Sequence, residues 1–288
     1  MNKGKREELH VISISGGKDS AALAVYLKDK YPNRKFEYIF LDTEEELPET
    51  YVYLERIKKI LGIKVKHLTS NQSFQELLEN HNDYLPSPTE RWCTKKMKIE
   101  KFLEFMKGHS DKIIYNYVGI RADENRKGLV PTEDNIITEM PFRDDGITLN
   151  DVKRILNDSG IGLPKYYEPI IDKEIGIEYY RSRSGCYFCF FMKQIEWVWL
   201  YEKHPKQFEK AMKFEKSGYS WIYGLPLKEL MKPEKIKEIK MNYKVSQERK
   251  KKQEVKNGTV LDEVRFLSKH DKMIQDDEKD EFCMMCML

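Results

Sequence analysis

The sequence predicts an α/β protein: a doubly wound parallel sheet followed by a mainly helical, cysteine-containing region. Strand-like and helix-like segments alternate over roughly the first 120 residues, the pattern of a parallel sheet wrapped by helices. A glycine turn, "SGGKDS" from Ser15 to Ser20, joins the first strand directly to a helix. Beyond Pro141 the alternation stops, and aromatic and lysine-rich helical stretches take over.

"HVISIS" reads as the first strand, and the helix from about Ser20 carries Leu23 and Leu27 one turn apart and stops near Pro32. "FEYIFLDT" is the second strand. Pro48 opens the next helix, in which Leu54, Ile57 and Leu61 share a face and Gly62 stands where a cap belongs. "IKVKHL" alternates as a third strand, and "IIYNYVGI" is a fourth after a helix carrying Phe102, Phe105 and Met106. "PFRDDGITLNDVKRILNDSG" reads as a loop and a short helix, and "QIEWVWLYEKHPKQFEKAMKFEK" as helical with aromatic anchors. No internal repeat is present. The expected division is a sheet domain over 1–172 and a smaller region over 173–288.

Composition narrows the function classes. With 34% charged and 40% hydrophobic residues the chain suits a soluble globular protein, and no apolar run approaches the roughly 20 residues that cross a bilayer. The basic start "MNKGKREELH" has no apolar signal region after it, so a cytoplasmic location with no membrane partner is expected. A net charge of +3 does not by itself imply a nucleic-acid partner. The five cysteines are Cys93, Cys186, Cys189, Cys283 and Cys286, and two pairs have Cys-x-x-Cys spacing, which in a cytosolic chain suggests metal or redox chemistry.

At the opening turn, Gly16 and Gly17 remove side chains where backbone must approach a phosphate, and the following helix aims free N–H groups and its positive dipole end at that spot. A Walker A loop is excluded, because it needs Ser or Thr where Asp19 stands and Gly where Ile12 stands. The turn is expected to be exposed, with Asp19 and Ser20 on its surface.

"SGGKDS" resembles the signature of the PP-loop ATP pyrophosphatases, whose fold is that of the adenine nucleotide alpha hydrolases. "LDTEEELPETY", "GIRADENRKG" and "RWCTKKMKI" resemble segments of the sulfonucleotide (PAPS) reductase branch, so the resemblance spans roughly residues 10 to 200. It implies that Ser15, Gly16, Gly17 and Ser20 cradle the β,γ-phosphates of ATP, that Lys18 adds positive charge, and that Asp19 orients the loop or helps to hold Mg²⁺. Asp42, at the carboxyl end of the second strand, is placed to contact the nucleotide. Gly119 lets backbone lie close to adenine or ribose, and Arg121 and Arg126 offset charge developing at the α-phosphate.

"RSRSGCYFCFFM" holds Cys186 and Cys189 in a Gly-led, aromatic knuckle whose spacing suits one metal. It resembles the cysteine element of the DndC-like ATP pyrophosphatases of DNA phosphorothioation, which hold a 4Fe-4S cluster, and Cys93 matches the cysteine of their Arg-Cys-Thr element. Trp92-Cys93 stands where cluster-containing reductases have consecutive cysteines. Cys283 and Cys286, in "DEFCMMCML", complete a metal site, carry sulfur or are incidental, and a Zn²⁺ site from the two pairs is the alternative to the cluster.

From Lys228 to Lys256 there are 11 Lys or Arg against 5 Glu, ending in Arg249 to Lys252, which suits either nucleic-acid phosphates or a solvated helix face. Trp197, Trp199, Tyr201 and Trp221 offer stacking surfaces or, as their helical spacing suggests, core. The leading expectation is an ATP pyrophosphatase that adenylates nucleic acid, DNA or tRNA, for sulfur transfer, with a sulfur-donor protein such as a cysteine desulfurase as partner. The alternatives are a PAPS or adenylyl-sulfate reductase and a non-catalytic zinc module that binds nucleotide or nucleic acid.

Overall fold

The computed structural model describes residues 6–126, 128 and 133–257, with side chains as far as 250. Its centre is a five-stranded, all-parallel sheet in the order β3-β2-β1-β4-β5. The strands are β1 (Glu8–Ser13), β2 (Phe36–Asp42), β3 (Val65–Thr69), β4 (Ile113–Tyr117) and β5 (Ile136–Glu139). Val11, Ile12, Ile39 and Phe40 are buried on successive positions, as strands covered on both faces require. The fifth strand was not expected from the sequence: "IITE" is four residues long and too short to show a period.

Helices α1 (Lys18–Lys30), α2 (Pro48–Leu61) and, after α3 (Phe74–Asn80), α4 (Trp92–Thr94), α5 (Glu100–Lys107) and α6 (Pro141–Asp144), α7 (Leu149–Asp158) wrap the sheet. One apolar layer joins the sheet to α1, α2 and α7 through Leu23, Leu54, Ile57, Val152 and Leu156. The opposite layer joins it to α5 through Phe102, Phe105 and Met106. α1 packs against both β1 and α7, which explains its near-continuous burial from Asp19 to Val25. α2 begins with Pro48 in its first turn and ends on Gly62 in the left-handed conformation (φ 63°), the cap expected.

The second half begins with a hairpin, β6 (Ile170–Asp172) and β7 (Ile177–Tyr179), and the division expected at residue 172 falls inside it. The helical stretch after Met192 consists of two helices, α8 (Gln194–Lys203) and α9 (Pro205–Lys213), because Pro205 cannot continue the first. α10 (Leu227–Leu230) and α11 (Pro233–Asn257) follow. A third core unites these elements with Leu47, α3 and Trp92 of the first half. Trp197, Trp199 and Trp221 are buried within it, so these indoles form core and do not offer a stacking surface.

Candidate functional site

The strand order reverses between β1 and β4, and the crevice beyond the carboxyl ends of those strands is where open α/β sheets bind ligands. The "SGGKDS" turn leaves β1 there, and Gly119 and Arg121 follow β4. The turn is held by its own hydroxyls. The Ser15 amide donates to Ser20 Oγ at 3.0 Å, the two hydroxyls are 3.0 Å apart, and the Gly17 amide donates to Ser15 Oγ at 3.3 Å. Ser20 Oγ donates to Gly17 O at 3.2 Å. Gly16 is needed twice over: its φ is +69°, and a Cβ would come 2.4 Å from Thr50 Cγ2.

Contrary to the exposed turn expected from sequence, Asp19 and Ser20 are buried. The second half of the chain packs over the loop: Tyr166 Oη donates to Gly16 O at 3.0 Å, and a Cβ on Gly17 would meet Ser184 Oγ at 2.9 Å. Asp19 lies between two cations, with Lys18 Nζ and Arg121 Nη1 each 2.8 Å from one of its oxygens. Burial pushes its carboxyl pKa up, but Lys18 and Arg121 outweigh burial and hold it below the ordinary value of 3.8. Arg121 also pairs with Asp123 at 2.8 Å and Glu124 at 2.9 Å, and Arg126 pairs with Glu124. Lys18, Arg121 and Arg126 are thus gathered at one place with carboxylates as counter-ions. A phosphate chain can exchange with those carboxylates, so the arrangement can take an anion without moving backbone.

Two expected contacts have other occupations here. Asp42 accepts from the Glu44 amide and Tyr51 Oη at 2.8 Å each, and its second oxygen is 3.0 Å from His67 Nδ1. Its carboxylate anchors the loop after β2. Gly119 lies against the first turn of α1, where a Cβ would come 3.2 Å from Asp19 O, so packing accounts for this glycine.

That anchored loop leads to the cysteines. Glu46 pairs with Cys186 in an antiparallel bridge, and the Tyr187 amide donates to Glu45 O at 2.9 Å. Thr43 Oγ1 lies 3.1 Å from Cys186 Sγ. In the knuckle, the Cys189 amide donates to Cys186 O, and Met192 N to Cys189 O. Arg181, with none of its surface exposed, organises this turn: its guanidinium donates to the carbonyls of Arg183, Gly185, Cys186 and Tyr187 at 2.6–3.3 Å.

Cys93, Cys186 and Cys189, all thiols, line one cavity with Thr43, Met97, Lys98, Phe188, Phe190 and Trp221. Cys93 arrives from α4, and the π-helical turn Lys95–Ile99 behind it buries Met97 and Lys98. Lys98 Nζ is 4.0 Å from Glu46, whose carboxyl is raised by burial against the opposing pull of Lys98. Burial, with Glu46 adding to it, raises the Cys186 thiol well above the ordinary cysteine value. Three thiols among apolar walls suit a thiophilic metal. Among the described residues, however, no three His, Cys, Asp or Glu side chains are gathered as a ready metal set, and the cavity of about 30 Å³ admits a single ion or water. A four-iron cluster requires its walls to part. Cys283 and Cys286 lie outside the described residues.

Lys98, Thr43, Glu46, Tyr166, Ser184 and Arg181 were missed as site residues. Lys98 falls within "RWCTKKMKI", but nothing in "KKMK" separates a buried lysine from exposed ones. Arg181 precedes the knuckle in a run of two arginines, and only the fold shows which of them turns inward.

Residues 9–130 match the model of the phosphoadenosine phosphosulfate reductase domain. An uncharacterized protein of Methanocaldococcus jannaschii is 29% identical over 115 residues, 40% of this chain and 23% of the relative, so the match spans about a quarter of that protein. Among solved structures, phosphoadenylyl-sulfate reductase of Candida auris, in a phosphate complex, is 16% identical with a TM-score of 0.43, over 58% of this chain and 83% of its own. The U34-tRNA thiolase NcsA of Methanococcus maripaludis, solved with its [4Fe-4S] cluster, is 14% identical with a TM-score of 0.39, over 72% and 69% of the two chains. The domain match runs from β1 past Arg126 and takes in Cys93, while Cys186 and Cys189 lie beyond it.

Proposed function

We propose that this protein is a PP-loop ATP pyrophosphatase that adenylates a group on nucleic acid so that sulfur can replace oxygen, with Cys93, Cys186 and Cys189 binding an iron–sulfur cluster beside the nucleotide. One observation carries the reading: the segment Ser184–Cys186 packs on Gly17 of the phosphate loop at one end and enters the cysteine cavity at the other. A bound nucleotide and a bound metal centre would therefore share a wall.

In this reading Ser15, Gly16, Gly17 and Ser20 receive the β,γ-phosphates, while Lys18, Arg121 and Arg126 exchange their carboxylate partners for phosphate oxygens. A substrate oxygen attacks the α-phosphorus; the new O–P bond forms as the bond to the β-phosphate oxygen breaks, and pyrophosphate leaves. A sulfur nucleophile delivered by a donor protein then displaces AMP from the activated atom. Asp19, already shared between Lys18 and Arg121, orients them and reaches Mg²⁺ only by giving up one of these pairs. Cys93, Cys186 and Cys189 would hold the iron–sulfur cluster, which would supply thiophilic iron for the incoming sulfur.

The match of residues 9–130 to a phosphoadenosine phosphosulfate reductase domain favours a second reading, reduction of adenylyl sulfate or its phosphorylated form. One experiment separates the two. Anaerobically purified protein is supplied with ATP and a sulfide donor, with and without DNA or tRNA, and separately with adenylyl sulfate plus a thiol reductant. AMP and pyrophosphate that rise with nucleic acid support the proposal. Sulfite release without ATP cleavage overturns it.

A further inference from the structure

We propose that the rim of the cysteine cavity is a docking surface for single-stranded nucleic acid, with Arg91 and Arg183 taking phosphates and Phe190 and Tyr223 offering faces for bases. The inference rests on the reading above that the substrate is nucleic acid. It places the contact at the cavity, away from the basic helix that the sequence singles out.

Four positions carry the argument. Phe190 walls the cavity, and Phe191 packs against it with ring centroids 4.4 Å apart and the planes tilted by 39°. The guanidinium carbons of Arg91 and Arg183 lie over the Phe191 ring, 5.2 and 5.8 Å from its centroid. Arg91 is two residues before Cys93 and Arg183 three before Cys186, so both cations flank cavity thiols. Guanidinium groups held on an aromatic face keep their charge and lose less freedom when they bind a phosphate.

The fourth position is Tyr223. Its neighbour Trp221 is buried in the cavity wall and stacks on Phe188, while the tight turn Ile222–Leu225 carries the Tyr223 side chain into solvent with 104% relative exposure. A wholly exposed aromatic contributes nothing to the core and suits base stacking. The cavity is too narrow for a duplex. Only an unpaired or extruded base could present an edge to the thiols.

Lys232 pairs with Glu229, Lys235 with Glu238, and Lys240 with Asp172 and Glu202, while Lys244 donates to Ile175 O. Two of these lysines, Lys240 and Lys244, fasten α11 to the β6–β7 hairpin.

The test is fluorescence anisotropy on the full chain with labelled single-stranded DNA and RNA of about 20 nucleotides, and the same DNA as a duplex, across a KCl series. The unaltered protein is expected to prefer single strands of either sugar. Arg91→Gln with Arg183→Gln should weaken binding and flatten the salt slope by about 0.7 logarithmic units per phosphate contact removed. Tyr223→Ala, which touches no core, should weaken binding at least about fivefold with the slope unchanged. Replacing Arg249, Lys250, Lys251 and Lys252 with Gln should have the smaller effect. The proposal is overturned if the duplex binds as tightly as single strands, if the helix variant alone loses binding, or if the unaltered protein binds neither strand. AMP release by the unaltered protein, measured separately, tells a failure of this surface from a failure of the ATP reading.

Discussion

Replacing Asp19 with Asn leaves the shape of the phosphate loop intact and removes its internal counter-charge. Asp19 is 3% exposed and holds Lys18 and Arg121 at 2.8 Å each, so the change leaves two cations facing each other with one partner gone. Breaking a buried pair from one side costs about 3–5 kcal/mol, and the low end applies because Arg121 keeps Asp123 and Glu124. For a chain of this size, about 3 kcal/mol corresponds to a melting temperature lower by roughly 6–12 °C. The sign of the pH dependence also follows. The folded carboxyl titrates below 3.8, so its contribution is full above that value and is lost as pH falls through the folded pKa. The gap between parent and variant should therefore narrow under acid. ATP should reverse part of the loss, because its phosphates supply the missing negative charge, so ligand should raise the melting temperature of Asp19→Asn more than that of the parent. Differential scanning fluorimetry with and without Mg·ATP reads all three effects. A variant that melts with the parent at neutral pH, or gains less from ATP, would refute the argument.

Gly16→Ala places a methyl 2.4 Å from Thr50 Cγ2 at a φ of +69°, so it should open the loop and lose ATP binding by isothermal titration while far-ultraviolet dichroism stays near normal. Single changes of Cys93, Cys186 or Cys189 to Ser should bleach the brown colour of anaerobically prepared protein, whereas Cys283→Ser with Cys286→Ser should retain much of it; stoichiometric zinc without iron would contradict the cluster. Arg181→Met leaves four knuckle carbonyls without their donor. It should lower metal content and melting temperature together, with Arg181→Lys restoring only part of either, and metal content equal to the parent's in both variants would show that the guanidinium does not shape the knuckle.

The sheet and the glycine turn between β1 and α1 were legible in the sequence because both rest on local rules. Short apolar runs separated by helical patterns, and a glycine turn between strand and helix, are written in consecutive residues, and Pro48 and Gly62 mark helix ends by their own backbone preferences. The approach of Cys93 to Cys186 and Cys189 was implied by the family resemblance alone. The burial of Asp19 was not legible, because it depends on Tyr166, Arg121 and Ser184, which lie 100 or more residues away and meet the loop only in the fold. The same holds for Arg181, whose partners are backbone carbonyls and leave no residue-type pattern. β5 escaped because pairing to β4 defines it more than its own four residues do. The helix break at Pro205 was legible in principle: a proline inside a helical pattern is a local signal.

In the proposed function the loop at Ser15–Ser20 directs cleavage between the α- and β-phosphates of ATP. Anaerobic protein incubated with Mg²⁺, nucleic acid, a sulfide donor and ATP labelled at the α-phosphate is predicted to release AMP and pyrophosphate in equal amounts, and without the sulfide donor the label is predicted to remain in a nucleic-acid-bound form that gel electrophoresis can trap. Release of ADP and inorganic phosphate, or no cleavage with any nucleic acid while adenylyl sulfate is reduced, would contradict it.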